Sequence, residues 1–112
     1  MSNDSNSVVI VYCTVPEDCS RRMAKSAVDL RLCACVSIMP VLSVYRWEGS
    51  LCEDDELLLL MKTSADRLNS LVDWILSVHP YEVPEILAVP AHSSASYCDW
   101  VLSSVGDEVH HL

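Results

Sequence analysis

The sequence predicts an α+β fold, in which one antiparallel sheet has two helices on one face and a further helix follows at the C-terminal end. Three observations predict it. The hydrophobic patterns follow the order β-α-β-β-α-β and then a short helix. Two long strand-like segments flank the turn residues Glu48-Gly49-Ser50, which is typical of an antiparallel hairpin. No internal repeat or second domain is visible. This order is that of the ferredoxin-like, or split βαβ, sandwich.

The first strand and helix are predicted from composition and turn residues. Residues 8–14 form a continuous run rich in β-branched side chains, which is typical of a strand buried on both faces. Pro16 suits the first turn of a helix, and the acids Glu17 and Asp18 complement the positive end of its dipole. We expect this helix to extend to about Leu32. Its inner stripe is predicted to comprise Cys19, Met23, Ala24, Ala27, Val28 and Leu30.

The predicted hairpin consists of strands over residues 34–47 and 51–63. Pro40 interrupts the first of them, which predicts a bulge or an edge position because proline cannot donate to a strand ladder. The acidic residues 53–56 are most simply a solvated rim of the hairpin.

The second helix is predicted over residues 65–78, with Ser64 as a candidate N-cap. Its end is predicted at His79-Pro80, because the residue before a proline avoids the helical region. Its apolar stripe comprises Leu68, Leu71, Val72, Ile75 and Leu76.

The C-terminal part is predicted to hold a short strand over residues 85–89, closed by Pro90, and a last helix around residues 97–105. Gly106 is a suitable stop signal for that helix, because glycine readily adopts the left-handed backbone conformation that ends helices.

Charge and glycine content exclude several classes of function. The chain of 112 residues has 16 acids and 7 bases, for a net charge of −9. Such a charge repels nucleic acid and anionic membranes. The two glycines, Gly49 and Gly106, are too few and too far apart for a phosphate-binding loop or a dinucleotide fingerprint. No apolar run approaches the ~20 residues of a membrane span.

Composition also suggests the domain limits and the compartment. We expect a flexible N-terminal arm over residues 1–7, a single domain over residues 8–106 and a tail over residues 107–112. The arm is polar and lacks a basic start, so no signal peptide is expected and a cytoplasmic location is favoured. An even number of cysteines allows a disulfide framework, but reduced thiols fit this context better. The cysteines are Cys13, Cys19, Cys33, Cys35, Cys52 and Cys98.

The segment 79–85 (HPYEVPE) carries the densest set of reactive side chains. Two prolines stiffen its backbone, and an imidazole, a phenol and two carboxylates lie between and beside them. A rigid backbone under several polar groups suits a preorganised binding site. The alternative is a rigid loop with a capping histidine and solvated acids.

Cysteine chemistry is weakly supported. Cys13, at the end of the first strand, is either an inert core thiol or, with His79, the one sensible nucleophilic dyad, but no third orienting group is evident. Cys33 and Cys35 form a C-x-C pair that could bind a soft metal, yet no second arm of a zinc site is visible. His92 has no predicted partner. The sequence therefore favours a binding protein over an enzyme.

Several ordered motifs carry a family resemblance. They are VVIVYCTVPED, RLCACVSIMP, SVYRWEG, LLLLMKT, SVHPYEVPEIL and a Y-x-x-W formed by Tyr97 and Trp100. With these motifs the chain resembles the CutA divalent-cation tolerance family over about residues 8–102.

The resemblance implies a ferredoxin-like subunit in a non-catalytic homotrimer with PII-like architecture, whose long hairpin extends into neighbouring subunits. It also implies a metal site, because Cys13, His79 and Glu85 match the family's copper ligands. A thiolate, an imidazole and a carboxylate suit copper, zinc or a similar divalent transition metal. The alternative is a PII-like regulatory or scaffold trimer. Its intersubunit clefts, near Lys62, Tyr81 and Trp47, would bind a small molecule or a protein partner.

Overall fold

A computed structural model describes residues 7–106, which form a four-stranded antiparallel sheet and three α-helices. The strand order is β2-β3-β1-β4, so the predicted ferredoxin-like fold is confirmed. Residues 1–6 of the predicted arm and the predicted tail 107–112 lie outside the described residues. The elements are β1 (Val8–Val15), α1 (Glu17–Asp29), β2 (Cys35–Trp47), β3 (Ser50–Ser64), α2 (Leu68–Val78), β4 (Leu87–Ala91) and α3 (Ala95–Ser104).

Two separate cores lie on the two faces of the sheet. Side chains alternate along a strand, so Val9 and Val11 of β1 face α1 and α2, whereas Val8 faces the opposite side. On that opposite side Val101 of α3 packs against Val8. The larger core contains Val9, Val11, Cys13, Val15, Cys19, Met23, Ala27, Leu32, Cys33, Leu59, Met61, Leu71 and Ile75. The terminal helix therefore covers a face that the two central helices leave open.

Helix α1 ends at Asp29, three residues before the predicted limit. The chain reverses at Arg31, whose φ of 61° lies in the left-handed region, and the Leu32 and Cys33 amides donate to the Ala27 carbonyl. Val28, in the last turn of α1, and Leu30, just beyond its end, are exposed, so their prediction as inner residues was wrong. The remaining stripe residues are buried as predicted: Cys19, Met23, Ala24 and Ala27.

Helix α2 begins at Leu68, after a single 3₁₀ turn over Ala65–Arg67. The Ser64 side chain does not cap this turn, since its hydroxyl donates to the Asp66 carboxylate. Leu71 and Ile75 are fully buried, but Leu76 is exposed and does not belong to the stripe. The helix ends at Val78, and His79 before the proline is extended, as predicted.

Strand β4 lies two residues beyond its predicted limits, and Pro90 is part of it, opposite Val9. An edge strand tolerates proline, because one side of its backbone has no ladder partner. Helix α3 begins two residues earlier than predicted, where the Ser94 hydroxyl accepts from the Tyr97 amide. Gly106, with a φ of 98°, follows its end as predicted.

The β2–β3 hairpin is long and regular. Its strands have 13 and 15 residues, and their register passes through Pro40 without a bulge, on an edge strand. Trp47 pairs with Ser50 across a two-residue turn, in which Glu48 (φ 51°) and Gly49 (φ 82°) both have positive φ. This is the mirror-image turn that matches strand twist.

The hairpin extends beyond the helices and exposes apolar side chains. The described part of the chain measures 51 × 29 × 21 Å. Exposed apolar residues of the hairpin are Ile38, Met39, Leu42, Val44, Tyr45, Trp47 and Leu51. Exposed apolar side chains concentrated on one hairpin in this way are typical of a protein interface. None of the helices within residues 7–106 has the length and apolar character needed to cross a bilayer.

Candidate functional site

The three residues predicted as metal ligands lie around the C-terminal end of β1. Cys13 is in that strand, and the His79 Nε2 lies 2.9 Å from the carbonyl oxygen of Thr14. The Glu85 carboxylate is the nearby charge with the largest effect on the Cys13 thiol. The sequence alone did not place Cys13 beside His79. In the structure the His79 ring is bonded to the backbone of Thr14, the residue that follows Cys13.

Cys13 is fully buried, in the core that α1 and α2 cover. Burial, with a smaller effect from Glu85, raises the pKa of the Cys13 thiol to about 12. The group is therefore a neutral thiol near neutral pH, and only the thiolate acts as a nucleophile or a strong metal ligand. This environment does not activate Cys13 for catalysis.

His79 uses both ring nitrogens within the chain. The Tyr81 amide donates to Nδ1 at 3.0 Å, so Nδ1 is the acceptor and the neutral ring carries its proton on Nε2. Nε2 then donates to the Thr14 carbonyl. The ring also packs against the Tyr81 ring, with 4.7 Å between centroids. These contacts hold the segment 79–81 against the end of β1.

The donor chemistry fits a transition metal, but the side chains are not arranged as ligands. Among residues 7–106 no three His, Cys, Asp or Glu side chains are placed to hold a metal ion together. Binding at Cys13, His79 and Glu85 would require the thiol to lose its proton and the imidazole to release at least one of its hydrogen bonds.

A cavity of about 580 Å³ lies beside this point, between the hairpin and the segment 81–85. Thr14 lines it, whereas the neighbouring Cys13 belongs to the core on the other face of the sheet. Lysine and arginine are absent from its lining. The lining residues are Thr14, Ser43, Val44, Tyr45, Trp47, Asp54, Glu56, Tyr81, Glu82, Val83 and Glu85.

Two tyrosines of the cavity donate to carboxylates. The Tyr81 hydroxyl lies 2.6 Å from a Glu56 carboxylate oxygen, and the Tyr45 hydroxyl donates to Asp54. Burial and the bond to Glu56 raise the pKa of Tyr81, and the bond to Asp54 raises the pKa of Tyr45 to about 12. Both phenols therefore remain neutral donors near neutral pH.

Glu56 corrects the prediction of a uniformly solvated acidic rim. It is 9% exposed, whereas Glu53, Asp54 and Asp55 are exposed. Strand alternation could have separated Asp54 and Glu56, which lie on the cavity side of β3, from Glu53 and Asp55. Tyr81, which bonds to Glu56, comes from a distant segment, so local sequence carries no signal for this contact.

Other predicted residues lie apart from the cavity. Lys62 donates to the Ser37 hydroxyl at 2.6 Å and lies 3.8 Å from the Cys35 sulfur. Cys33 precedes β2 and is buried, which raises its thiol pKa to about 12, so the C-x-C pair does not present two thiols together. His92 is exposed. Cys13, Cys19, Cys33, Cys35 and Cys52 are free thiols.

Comparison with known proteins identifies the relatives of this chain. The family model of the CutA1 divalent ion tolerance protein matches residues 9–104. The divalent-cation tolerance protein CutA of Thermus thermophilus is 46% identical over 100 residues, which are 87% of this chain and 97% of the relative.

Solved structures agree with this result. CutA from Synechococcus elongatus superposes with a TM-score of 0.86 at 36% identity, over 93% of this chain and 95% of the other. The PII-like protein CutA from a Nostoc species, in its apo form, superposes with a TM-score of 0.85 at 32% identity, over 88% of this chain and 97% of the other. The family resemblance and the PII-like fold class predicted from the sequence are thereby confirmed.

Proposed function

Because the chain belongs to the CutA1 divalent ion tolerance family, we propose that it is a non-catalytic homotrimer that binds a divalent transition metal, copper or else zinc or a similar ion. The proposed ligands are Cys13, His79 and Glu85. Family membership carries this proposal, and two observations support it: the His79 ring is bonded to the backbone of Thr14, next to Cys13, and the Glu85 charge acts on the Cys13 thiol.

The exposed hairpin supports the trimeric state. Several of its apolar side chains are exposed in the described part of the chain, and Leu42, Val44 and Leu51 are each more than half exposed. Burying such surface between subunits is favourable at roughly 25 cal/mol per Å². The proposed single domain spans residues 8–106, and its free thiols fit a reducing compartment such as the cytoplasm.

Copper calorimetry tests the metal site. We expect the double variant Cys13→Ala/His79→Ala to bind copper at least about tenfold more weakly than the wild type, because each lost donor removes a metal bond. The matched control is Cys52→Ala/His92→Ala, which removes the same two donor types away from β1. Equal copper affinity in the wild type and the first variant would contradict the proposed ligands.

The cavity supports a second function, the binding of a small molecule by a PII-like regulatory trimer. Its volume of about 580 Å³ is in the usual range of ligand sites, and Trp47 and Tyr81, two of the residues predicted near such a cleft, line it. Native mass spectrometry of freshly purified protein tests this function. We expect a co-purified ligand mass that disappears in Tyr81→Ala; protein that carries no adduct and gains none from a metabolite mixture would contradict it.

A further inference from the structure

Cys35 and Lys62 form a thiol–ammonium pair at the end of the hairpin that is remote from the turn. They lie directly opposite each other in the register of β2 and β3, and the Lys62 Nζ is 3.8 Å from the Cys35 sulfur. The same Nζ donates to the Ser37 hydroxyl at 2.6 Å, from the same face of β2. Both members of the pair are half-buried, so the ammonium is held beside a sulfur that keeps part of its exposure.

The ammonium group favours one kind of chemistry at the Cys35 sulfur. The thiolate is the form of cysteine that attacks a disulfide, and a positive charge a few ångströms away stabilises it. Lys62 also attracts negatively charged reagents to this point of a chain whose net charge is −9. Burial, with a smaller effect from Cys35, raises the pKa of the neighbouring Tyr97 phenol, so this group is neutral and adds no repulsion.

Four of the other cysteines are less suited to this reaction. Cys13, Cys19 and Cys33 are buried, and burial raises the pKa of each thiol. Cys52 is half-buried too, but the acids 53–54 follow it in the hairpin. Their negative charges repel an anionic reagent. Cys52 is therefore the matched reference for a thiol that has similar exposure and the opposite electrostatic surroundings.

We propose that Cys35 is a modification site that forms a mixed disulfide with an anionic low-molecular-weight disulfide, with Lys62 as the counter-charge. The Cys35 thiolate attacks one sulfur of the reagent, whose own S–S bond breaks as the new S–S bond forms. The leaving thiolate takes up a proton, equal to the one that Cys35 released. Cys35 is oxidised and the reagent is reduced. The inference does not depend on the proposed metal site or on the cavity, because neither residue belongs to them.

Peptide mapping of the full chain by mass spectrometry tests the site. The probes are glutathione disulfide, which is anionic, and cystamine, which is a cationic disulfide. We expect glutathione disulfide to modify Cys35 at least about tenfold faster than Cys52. With cystamine this ratio should be at least about threefold smaller, and the intrinsic reactivity of each reagent cancels in the ratio. A first adduct at any other cysteine, or the same ratio with both reagents, would overturn the inference.

Variants separate the charge of Lys62 from a structural role. Lys62→Gln keeps a donor for Ser37 but removes the charge. We expect it to slow the modification of Cys35 about tenfold with glutathione disulfide, but less than about threefold with cystamine. Lys25→Gln, the same substitution at an exposed position of α1, should react as the wild type. Equal slowing with both reagents would show a structural effect only, and would overturn the role of Lys62.

Ionic strength provides a test that needs no variant. Raising sodium chloride from about 20 mM to about 500 mM shortens the range of electrostatic attraction to a few ångströms. The rate at Cys35 relative to Cys52 should then fall at least about threefold with glutathione disulfide. A ratio that does not change with salt would overturn the inference, even if Lys62→Gln did not fold.

Discussion

The two halves of β3 have the same kind of apolar side chains in opposite environments. Leu59 and Met61, in the half beneath α1 and α2, are fully buried, whereas Leu51, near the turn, is 75% exposed. One strand thus contributes to a closed core at one end and to an open surface at the other. The chain completes its own core over only part of its sheet, and the remainder is suited to a partner.

The largest expected effect is at the buried end of this comparison. Leu59→Ala should lower the free energy of unfolding by about 2–5 kcal/mol, because it removes buried methyl groups and leaves a cavity in the core. Leu51→Ala is the matched control in the same strand, since it removes the same atoms from a position that α1 and α2 do not cover. Chemical denaturation of both variants measures the difference.

These measurements should be made under conditions where the wild-type chain is monomeric. A loss in Leu51→Ala as large as that in Leu59→Ala would contradict the distinction between a closed and an open half.

Subunit association tests the exposed half of the hairpin. Leu42→Asp places a charge in the exposed apolar surface of the hairpin, where burial between subunits would desolvate it. We expect the proposed trimer to dissociate at least about tenfold more readily in analytical ultracentrifugation. The circular dichroism spectrum should remain that of the wild type. Lys25→Asp, on α1, is a charge-changing control, and a variant at Leu42 that associates normally would remove the hairpin from the interface.

A smaller effect is expected where α3 closes the second face. Arg31 donates from Nε to the Gly106 carbonyl at 2.9 Å and from Nη2 to the Ser103 carbonyl at 3.2 Å. Arg31→Ala loses both bonds in a left-handed position, and we expect a destabilisation of about 2 kcal/mol in thermal unfolding.

Arg31→Gly loses the same bonds but adopts the left-handed conformation without strain. It should therefore be about 1 kcal/mol more stable than the alanine variant. Equal stability of the two variants would show that the backbone at this position is not strained.

The smallest expected effect near neutral pH is that of the buried thiols on the free energy of unfolding. The pKa values of Cys13 and Cys33 are raised from 9.0 to about 12 by burial. Below pH 9 both states keep these protons, so stability is unaffected. As the pH rises from 9 towards 12 the unfolded state loses them first, and the free energy of unfolding falls.

Denaturation midpoints between pH 8 and pH 11 measure this slope. Cys13→Ala/Cys33→Ala should flatten it, because it removes both buried thiols. An unchanged slope in the double variant would contradict the assignment to buried thiols.

Much of the fold could be predicted because hydrophobic periodicity directly reflects burial. The order of elements, the hairpin turn and the end of α2 before Pro80 all follow from local chemistry. The early end of α1 was not predicted; the chain reverses there at Arg31, whose side chain bonds to Gly106 and Ser103, residues distant in sequence. The sequence predicts that Pro90 ends β4. The sheet order shows that β4 is an edge strand, where proline is tolerated, and this order cannot be derived from local sequence.

The segment 79–85 could be singled out by its composition, but its place in the fold could not be predicted. Its contact with the end of β1 includes the bond from His79 to the Thr14 carbonyl, which joins residues distant in sequence. The cavity joins this segment to the hairpin, and the acids at 54 and 56 differ from their neighbours only through strand parity. Periodicity describes single elements, whereas a cavity depends on how several of them meet.

The two-residue turn at Glu48-Gly49 determines which acids face the cavity. Glu56 lies seven residues from Gly49, roughly 23 Å along the strand, yet the turn fixes its pairing with Val41. One inserted residue at the turn would shift this pairing by one position. Because side chains alternate along a strand, residues that now share a face of the hairpin would then lie on opposite faces. Tyr45 would then no longer meet Asp54. The turn thus acts as a distant spacer, because its length sets which side chains of β2 and β3 meet across the hairpin.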